Sequence, residues 1–305
     1  MNSNNENNLK KVINGFNIAK ILSDNLREVV QVLGDEQNVT PGLAIIRVGD
    51  DPASGIYVAN KMKTAYDIGI RTQLIELDDD ASEKNILMKI NYLNNDHKTH
   101  GIIVQLPLPS HLDTFNILQA ISPEKDVDGF NPTNVGKLFS GNPNLVPCTA
   151  LACIKLLEAV FKDMSGLNAV VIGRSNIVGK PAAELLLQRN CTVTMAHSKT
   201  QDLAKIASTA DILIVAVGVP KLVKGSWVKP GAVVIDVGIN EIYPSAESTT
   251  RSITGDVDFN DVIDKVSYIT PVPKGVGPMT VICLMANTIK AACQIKMIEF
   301  EEDFF

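Results

Sequence analysis

Tyr57 and Lys61 stand four residues apart in Tyr57-Val-Ala-Asn-Lys61-Met-Lys63, a spacing that a helix turns onto one face. Ala53, Ile56, Ala65 and Ile68 make the surrounding helix half apolar. A lysine there is either a solvated surface group or a partly desolvated acid–base group, because burial disfavours the ammonium form. Gln105 ends the apolar run Gly101-Ile-Ile-Val-Gln105. The two Leu-Pro pairs that follow (Leu106 to Pro109) halt sheet pairing and throw the chain outward, at the edge where open α/β sheets gather reactive groups. Asp126 and Asp128, in Glu124-Lys-Asp-Val-Asp-Gly129, suit either a cationic or amide-bearing ligand or turn formation before the glycine. His97 and His100 lack the context of a metal site, and no metal is expected.

A second group surrounds Val170-Val-Ile-Gly173-Arg-Ser-Asn-Ile-Val-Gly179-Lys-Pro181. The glycines are six apart, unlike the G-x-G-x-x-G dinucleotide fingerprint. A strand entering at Gly173 and a helix leaving from Gly179, with Pro181 tolerated in its first turn, would still aim free N–H groups at an anion. A tight turn with two glycines is the alternative. At the end of the next strand, where an acid would take a ribose 2′-hydroxyl, stand His197, Ser198, Lys199 and Thr200. With Arg174, these hydroxyl and cationic donors favour a 2′-phosphate and so NADP over NAD; an ordinary solvated loop is the other reading.

These residues need an α/β frame. A helix is expected from Asn17 to a stop at Gly34, followed by strands at 42–49, 71–78 and 101–109 with helices near 52–68, 82–95 and 113–121 between them. The segment 122–149 has too much Pro, Gly and Asn for regular structure and marks a boundary. A helix near 149–162 then opens a second series, with strands at 169–173, 192–197, 212–218, 232–238 and 268–270 whose continuous apolar runs suit parallel pairing. The expected domains are 9–148, completed by a C-terminal helix at 279–296, and a Rossmann-like doubly wound domain at 149–278, with the active-site cleft between them. Loose tails are expected at 1–8 and 299–305.

Composition narrows the function. A chain of 305 residues with 45% hydrophobic content can fill two modest cores. Its net charge of −6 argues against a nucleic-acid partner, and no unbroken apolar run approaches the roughly 18 residues of a membrane helix. The Asn-rich start has neither the apolar core of a signal peptide nor the Arg-rich character of a transit peptide. Cys148, Cys153, Cys191, Cys283 and Cys293 form no CxxC pair, which fits reduced thiols and a cytoplasmic location.

Taken together and in order, YVANKMK, VQLPLP, PEKDVDGFNPTNVGKL, VVIGRSNIVGKP and TPVPKGVGPMT resemble the bifunctional methylenetetrahydrofolate dehydrogenase/cyclohydrolase family from about residue 9 to 295. The resemblance implies NADP-dependent oxidation of 5,10-methylenetetrahydrofolate to the methenyl form, then hydrolysis to 10-formyltetrahydrofolate, in a homodimer. By that pattern Tyr57 would stack on folate, Lys61 serve hydrolysis, Gln105 tune the lysine and Asp128 hold the pterin's amino edge. Val104, Leu106, Pro273, Lys274, Gly275, Val276 and Gly277 would complete the substrate site. Thr149, Gly173, Arg174, Ser175, Ser198 and Ile239 would meet the cofactor.

The chain departs from the family pattern twice: Lys274 stands where a glycine is usual, and Ala150 where a proline is. A positive φ at 274 would strain a lysine; the expectation is that its cation meets the folate's glutamate tail. Short-chain dehydrogenases also use Tyr-x-x-x-Lys, but after their glycine loop, whereas here the pair precedes it. A cyclohydrolase alone would not need the GRSNIVGKP and HSKT segments, and a non-catalytic folate binder would not need Lys61, Gln105 and Asp128 together.

Overall fold

The computed structural model describes residues 8–242 and 252–299 and divides into two compact units. Apart from Asn8 and Glu299, the ends expected to be loose lie outside the described residues. A three-stranded unit comprises Lys20–Cys148 and the described residues from Val281. A five-stranded unit comprises the described residues through Ala19 and Thr149–Thr280. The start of the chain therefore groups with the later unit, unlike the expected boundary at residue 9: Ile13 N donates to Ile269 O at 2.9 Å and Ile269 N to Lys11 O at 2.9 Å.

In chain order the first elements are α1 (Gly15–Gln37), β1 (Gly42–Val48), α2 (Pro52–Ile68), β2 (Arg71–Leu77), α3 (Glu83–Asn95), β3 (Gly101–Val104), α4 (Thr114–Gln119) and α5 (Pro132–Phe139). Helix α1 runs past the expected stop at Gly34. The sheet order is β2-β1-β3, all parallel, with Ile46 paired to Val104. Ile46, Ile86, Ile90, Ile102 and Ile117 fill one face of its core. Helix α2 is well delimited. The Asp51 carboxylate accepts from Ser54 N at 2.7 Å, Pro52 opens the helix, and Gly69 closes it at φ +95° with its N–H on Ala65 and Tyr66 carbonyls. Helix α5 falls in the stretch expected to be irregular. Asn131 caps it by accepting from Thr133 N at 2.8 Å, and Pro132 supplies the helical φ. The composition of the segment hid this start signal.

The later elements are α6 (Cys148–Glu158), β4 (Asn168–Ile172), α7 (Gly179–Leu187), β5 (Thr192–Ala196), α8 (Leu203–Ala207), β6 (Ile212–Val215), a single 3-10 turn at Gly225–Trp227, β7 (Val233–Asp236), β8 (Asn240–Ile242), β9 (Ser252–Thr254), α9 (Phe259–Val262), β10 (Tyr268–Ile269) and α10 (Val276–Ile295). The sheet runs β10-β7-β6-β4-β5, all parallel, while β8 and β9 pair antiparallel. Its order reverses at β4, which lies between β5 and β6. Ligands of doubly wound sheets bind at the carboxyl ends of such strands. By length and mean hydropathy α10 meets the measure of a membrane-crossing helix, which the sequence reading did not anticipate. It reads instead as a core helix, since 72% of its apolar window is buried inside the fold.

Candidate functional site

Within the three-stranded unit, α2 and the end of β3 bring two expected groups together: Lys61 Nζ donates to Gln105 Oε1 at 3.0 Å. The amide is itself oriented. Gln105 Nε2 donates to Leu106 O at 2.7 Å, and Gln105 N to Ile46 O at 2.8 Å, so the carbonyl oxygen is left for the lysine. Lys61 is half-buried, and the helix is anchored below it by Ala65 and Ile68, at 0% and 1% exposure. Ile56, expected on that apolar side, is instead 65% exposed. Tyr57 keeps 40% of its surface in solvent, enough for an aromatic face to receive a planar ligand. Val104, expected in the substrate site, has its side chain 1% exposed in the sheet core, which leaves its backbone for a ligand.

The structure separates the two aspartates that the sequence left equivalent. Asp126 is a turn former, 1% exposed, accepting from Phe130 N (3.2 Å), Asn131 N (2.7 Å) and Asn134 Nδ2 (2.9 Å). Burial pushes its carboxyl up to about 6 against the pull of those donors. Burial raises the Asp128 carboxyl, while the Lys61 ammonium and the neighbouring Cys148 thiol oppose that rise. Gly129, at φ +74°, lets the turn pass against Val146 and Pro147, where an added Cβ would lie 2.6 Å from Pro147 N. Cys148 and Asn287 were not foreseen as site residues. Cys148 Sγ donates to Val127 O at 3.2 Å; Asn287 Nδ2 donates to Val127 O at 2.8 Å and Val146 O at 2.9 Å. Both hold the backbone beside Asp128, and an asparagine 160 positions away carries no local signal for that task.

In the five-stranded unit the unusual glycine spacing has a steric explanation. Gly173 has φ +130°, and a Cβ there would lie 2.2 Å from Ala216 O beyond β6. A Cβ on Gly179 would lie 2.3 Å from Gly173 O, so the second glycine lets the start of α7 close over the first. Ser175 Oγ accepts from Val178 N (3.1 Å) and Gly179 N (3.3 Å), leaving its hydroxyl proton to donate outward. Arg174, Ser198 and Lys199 are exposed. A close-packed turn at the helix start, exposed hydroxyl and cationic groups, and no acid at the end of β5 fit a phosphorylated dinucleotide. A metal has no comparable support: among the described residues no group of three His, Cys, Asp or Glu side chains could hold one. His100 is a core residue, 3% exposed, whose Nδ1 accepts from Gly42 N at 3.0 Å.

The remaining expected residues belong to the five-stranded unit as well. Ile239, 46% exposed, lies 3.9 Å from where a Cβ on Gly277 would be, and Thr149 Oγ1 accepts from Thr280 Oγ1 at 3.4 Å. Pro273 and Lys274 are exposed and Gly275 is buried. Val276 is 4% exposed and packs in the core, so of this expected substrate residue only the backbone can face a ligand. Lys274 has φ +80°.

Comparison with known proteins also divides the chain in two. Residues 13–128 match the family described as "Tetrahydrofolate dehydrogenase/cyclohydrolase, catalytic domain", and residues 147–296 its "NAD(P)-binding domain". "Bifunctional protein FolD" of Wolbachia pipientis subsp. Culex pipiens is 50% identical over 94% of this chain and 97% of its own. The Campylobacter jejuni FolD methylenetetrahydrofolate dehydrogenase/cyclohydrolase structure is 44% identical, with a TM-score of 0.88 over 93% of this chain and 98% of its own. The Trypanosoma brucei enzyme, solved with NADP cofactor and inhibitor, is 40% identical with a TM-score of 0.89, covering 93% and 97%. The chain belongs to the tetrahydrofolate dehydrogenase/cyclohydrolase family.

Proposed function

We propose that the protein is a bifunctional one-carbon folate enzyme, oxidising 5,10-methylenetetrahydrofolate with NADP and hydrolysing the methenyl product to 10-formyltetrahydrofolate. The observation that carries this reading is the Lys61 Nζ to Gln105 Oε1 bond of 3.0 Å beside the Asp128 carboxyl. What the dinucleotide supplies when bound is acceptance of a hydride from the methylene carbon, which leaves a cation shared by N5 and N10. Orientation is the protein's part in that step, with Tyr57 offering a ring face and Asp128 an acceptor for the pterin's amino edge. Hydrolysis asks for more. Water adds to the methenyl carbon, its proton must be removed, and a proton must reach the departing nitrogen. Lys61, steered by the Gln105 oxygen, is the group that moves it.

The β4–α7 turn and the Ser198–Lys199 loop support NADP as the dinucleotide. The trypanosomal relative was solved with that cofactor. We place the enzyme in the cytoplasm, where five buried cysteines outside any disulfide would stay reduced, and as a homodimer. Mixing the purified protein with methylenetetrahydrofolate and NADP or NAD, and following reduced nicotinamide and methenyl absorbance separately, tests the assignment. NADP reduction with little methenyl build-up is expected. Persistent methenyl would remove the hydrolase, and no reduction with either nucleotide would remove the dehydrogenase.

A further inference from the structure

Asp256 lies outside every expected site, yet it is 0% exposed and ties together two loops at the carboxyl edge of the five-stranded sheet. Its Oδ2 accepts from Val217 N at 2.7 Å and Gly218 N at 2.9 Å, in the loop leaving β6. Its Oδ1 accepts from Asn240 Nδ2 at 2.8 Å, at the start of β8, where the loop leaving β7 ends. Asp236 holds Asp256 in turn. One Asp236 oxygen accepts from Asp256 N (2.9 Å) and Gly238 N (3.0 Å), the other from Val257 N (2.9 Å). The packing leaves no slack: a Cβ on Gly238 would lie 2.3 Å from Asp256 Oδ1, and one on Gly255 would collide with Asp236 Oδ2.

The strand order says what these loops face. Ser198 and Lys199 follow β5, and the anion-binding turn follows β4. If the adenosine half lies over β5 and the pyrophosphate over β4, the nicotinamide half must extend over β6 and β7, the next strands in the order. Val219 and Ile239, 45% and 46% exposed, stand on the two loops that Asp256 joins. We propose that Asp256 is a positioning residue for the cofactor, fixing the β6 and β7 loops so that their apolar side chains receive the nicotinamide half.

This rests on the NADP reading above, and direct binding separates the two. The probes are NADP and adenosine 2′,5′-bisphosphate, which carries the adenosine half alone. Asp256→Asn, which puts an amide donor where an acceptor is needed, is expected to weaken NADP about tenfold or more, the size of a lost charge-assisted bond, and to leave the bisphosphate within about twofold. Asn240→Ala, a milder change that keeps the carboxylate, is expected to weaken NADP about threefold with the same selectivity, which keeps the test alive if Asp256→Asn folds poorly. Equal weakening of both probes, or no effect on NADP, would overturn the proposal. A parent protein that binds neither probe would sink the NADP reading and the proposal with it.

Discussion

Replacing Lys274 by glycine should make the protein more stable while weakening its grip on a polyglutamylated substrate. Lys274 sits at φ +80°, a conformation that costs an L residue roughly 1–2 kcal/mol. Its neighbours leave it no alternative. Phe16 N donates to Lys274 O at 3.1 Å, a Cβ on Gly15 would lie 2.0 Å from Gly275 O, and one on Gly275 would lie 2.4 Å from Pro271 O. Glycine relieves the strain but returns about 0.5–1 kcal/mol through the greater freedom of its unfolded chain. The net gain is therefore up to about 1.5 kcal/mol, or up to roughly 6 °C in the melting of a unit of this size. Lys274→Ala is the control, because it removes the cation but keeps the strain. Melting should rank Gly above Ala, with Ala close to the parent. KM for polyglutamylated methylenetetrahydrofolate should rise in both variants, while KM for the monoglutamate stays put. Lys274→Gly melting no higher than Lys274→Ala would refute the strain argument; unchanged polyglutamate KM in both would refute the role of the cation.

Other substitutions probe the site and the core. Lys61→Met should lower cyclohydrolase turnover by about a hundredfold or more, the range of general acid–base catalysis, and spare the dehydrogenase better; equal loss of both rates would remove Lys61 from the proton transfer. Gly179→Ala should abolish tight NADP binding with little change in cyclohydrolase rate, because the new methyl meets Gly173 O at 2.3 Å; unaltered NADP affinity would show that the turn can yield. Two buried groups should bend the pH–stability curve in opposite directions. His100 is held down to about 4 by burial and by the charges of Lys296, Lys125 and Arg71, so the unfolded chain takes up its proton first and stability is lost as pH falls from about 6.5 toward 4. Asp126, pushed up to about 6 by burial, takes its proton first in the folded state and gains stability as pH falls from about 6 toward 4. Melting of His100→Asn, which keeps an acceptor for Gly42 N, should therefore fall less steeply below pH 6.5 than the parent's. That of Asp126→Asn should fall more steeply, and parallel curves for all three proteins would contradict both assignments.

The central strands β1, β3, β4, β6 and β7 announced themselves as apolar runs because they are covered on both faces, whereas the edge strands β2 and β5 stay largely exposed, and α2 carried its own start and stop signals in Asp51, Pro52 and Gly69. The candidate residues could be grouped for a similar reason, since Tyr57 with Lys61, and Gly173 through Gly179, each lie within one turn or one helix. The helix that escaped the sequence has a local cause too: Pro and Gly content masked the capped helix α5.

The amino-acid sequence thus determined the α/β frame, the kinds of reactive group available and the turn that opens the dinucleotide domain, because each is written in residues close together along the chain. Tertiary structure alone decided which groups work together. It set Asp128 beside Lys61 and committed Asp126 to a turn, though the two are separated by a single valine. It forced Lys274 into a positive φ through contacts with Gly15 and Phe16, and grouped the first residues of the chain with its later half. It also closed the Asp236–Asp256 network, whose hydrogen bonds reach 39 positions along the chain. Such choices depend on where burial leaves a polar group without water, and only the folded chain settles which partner then satisfies it.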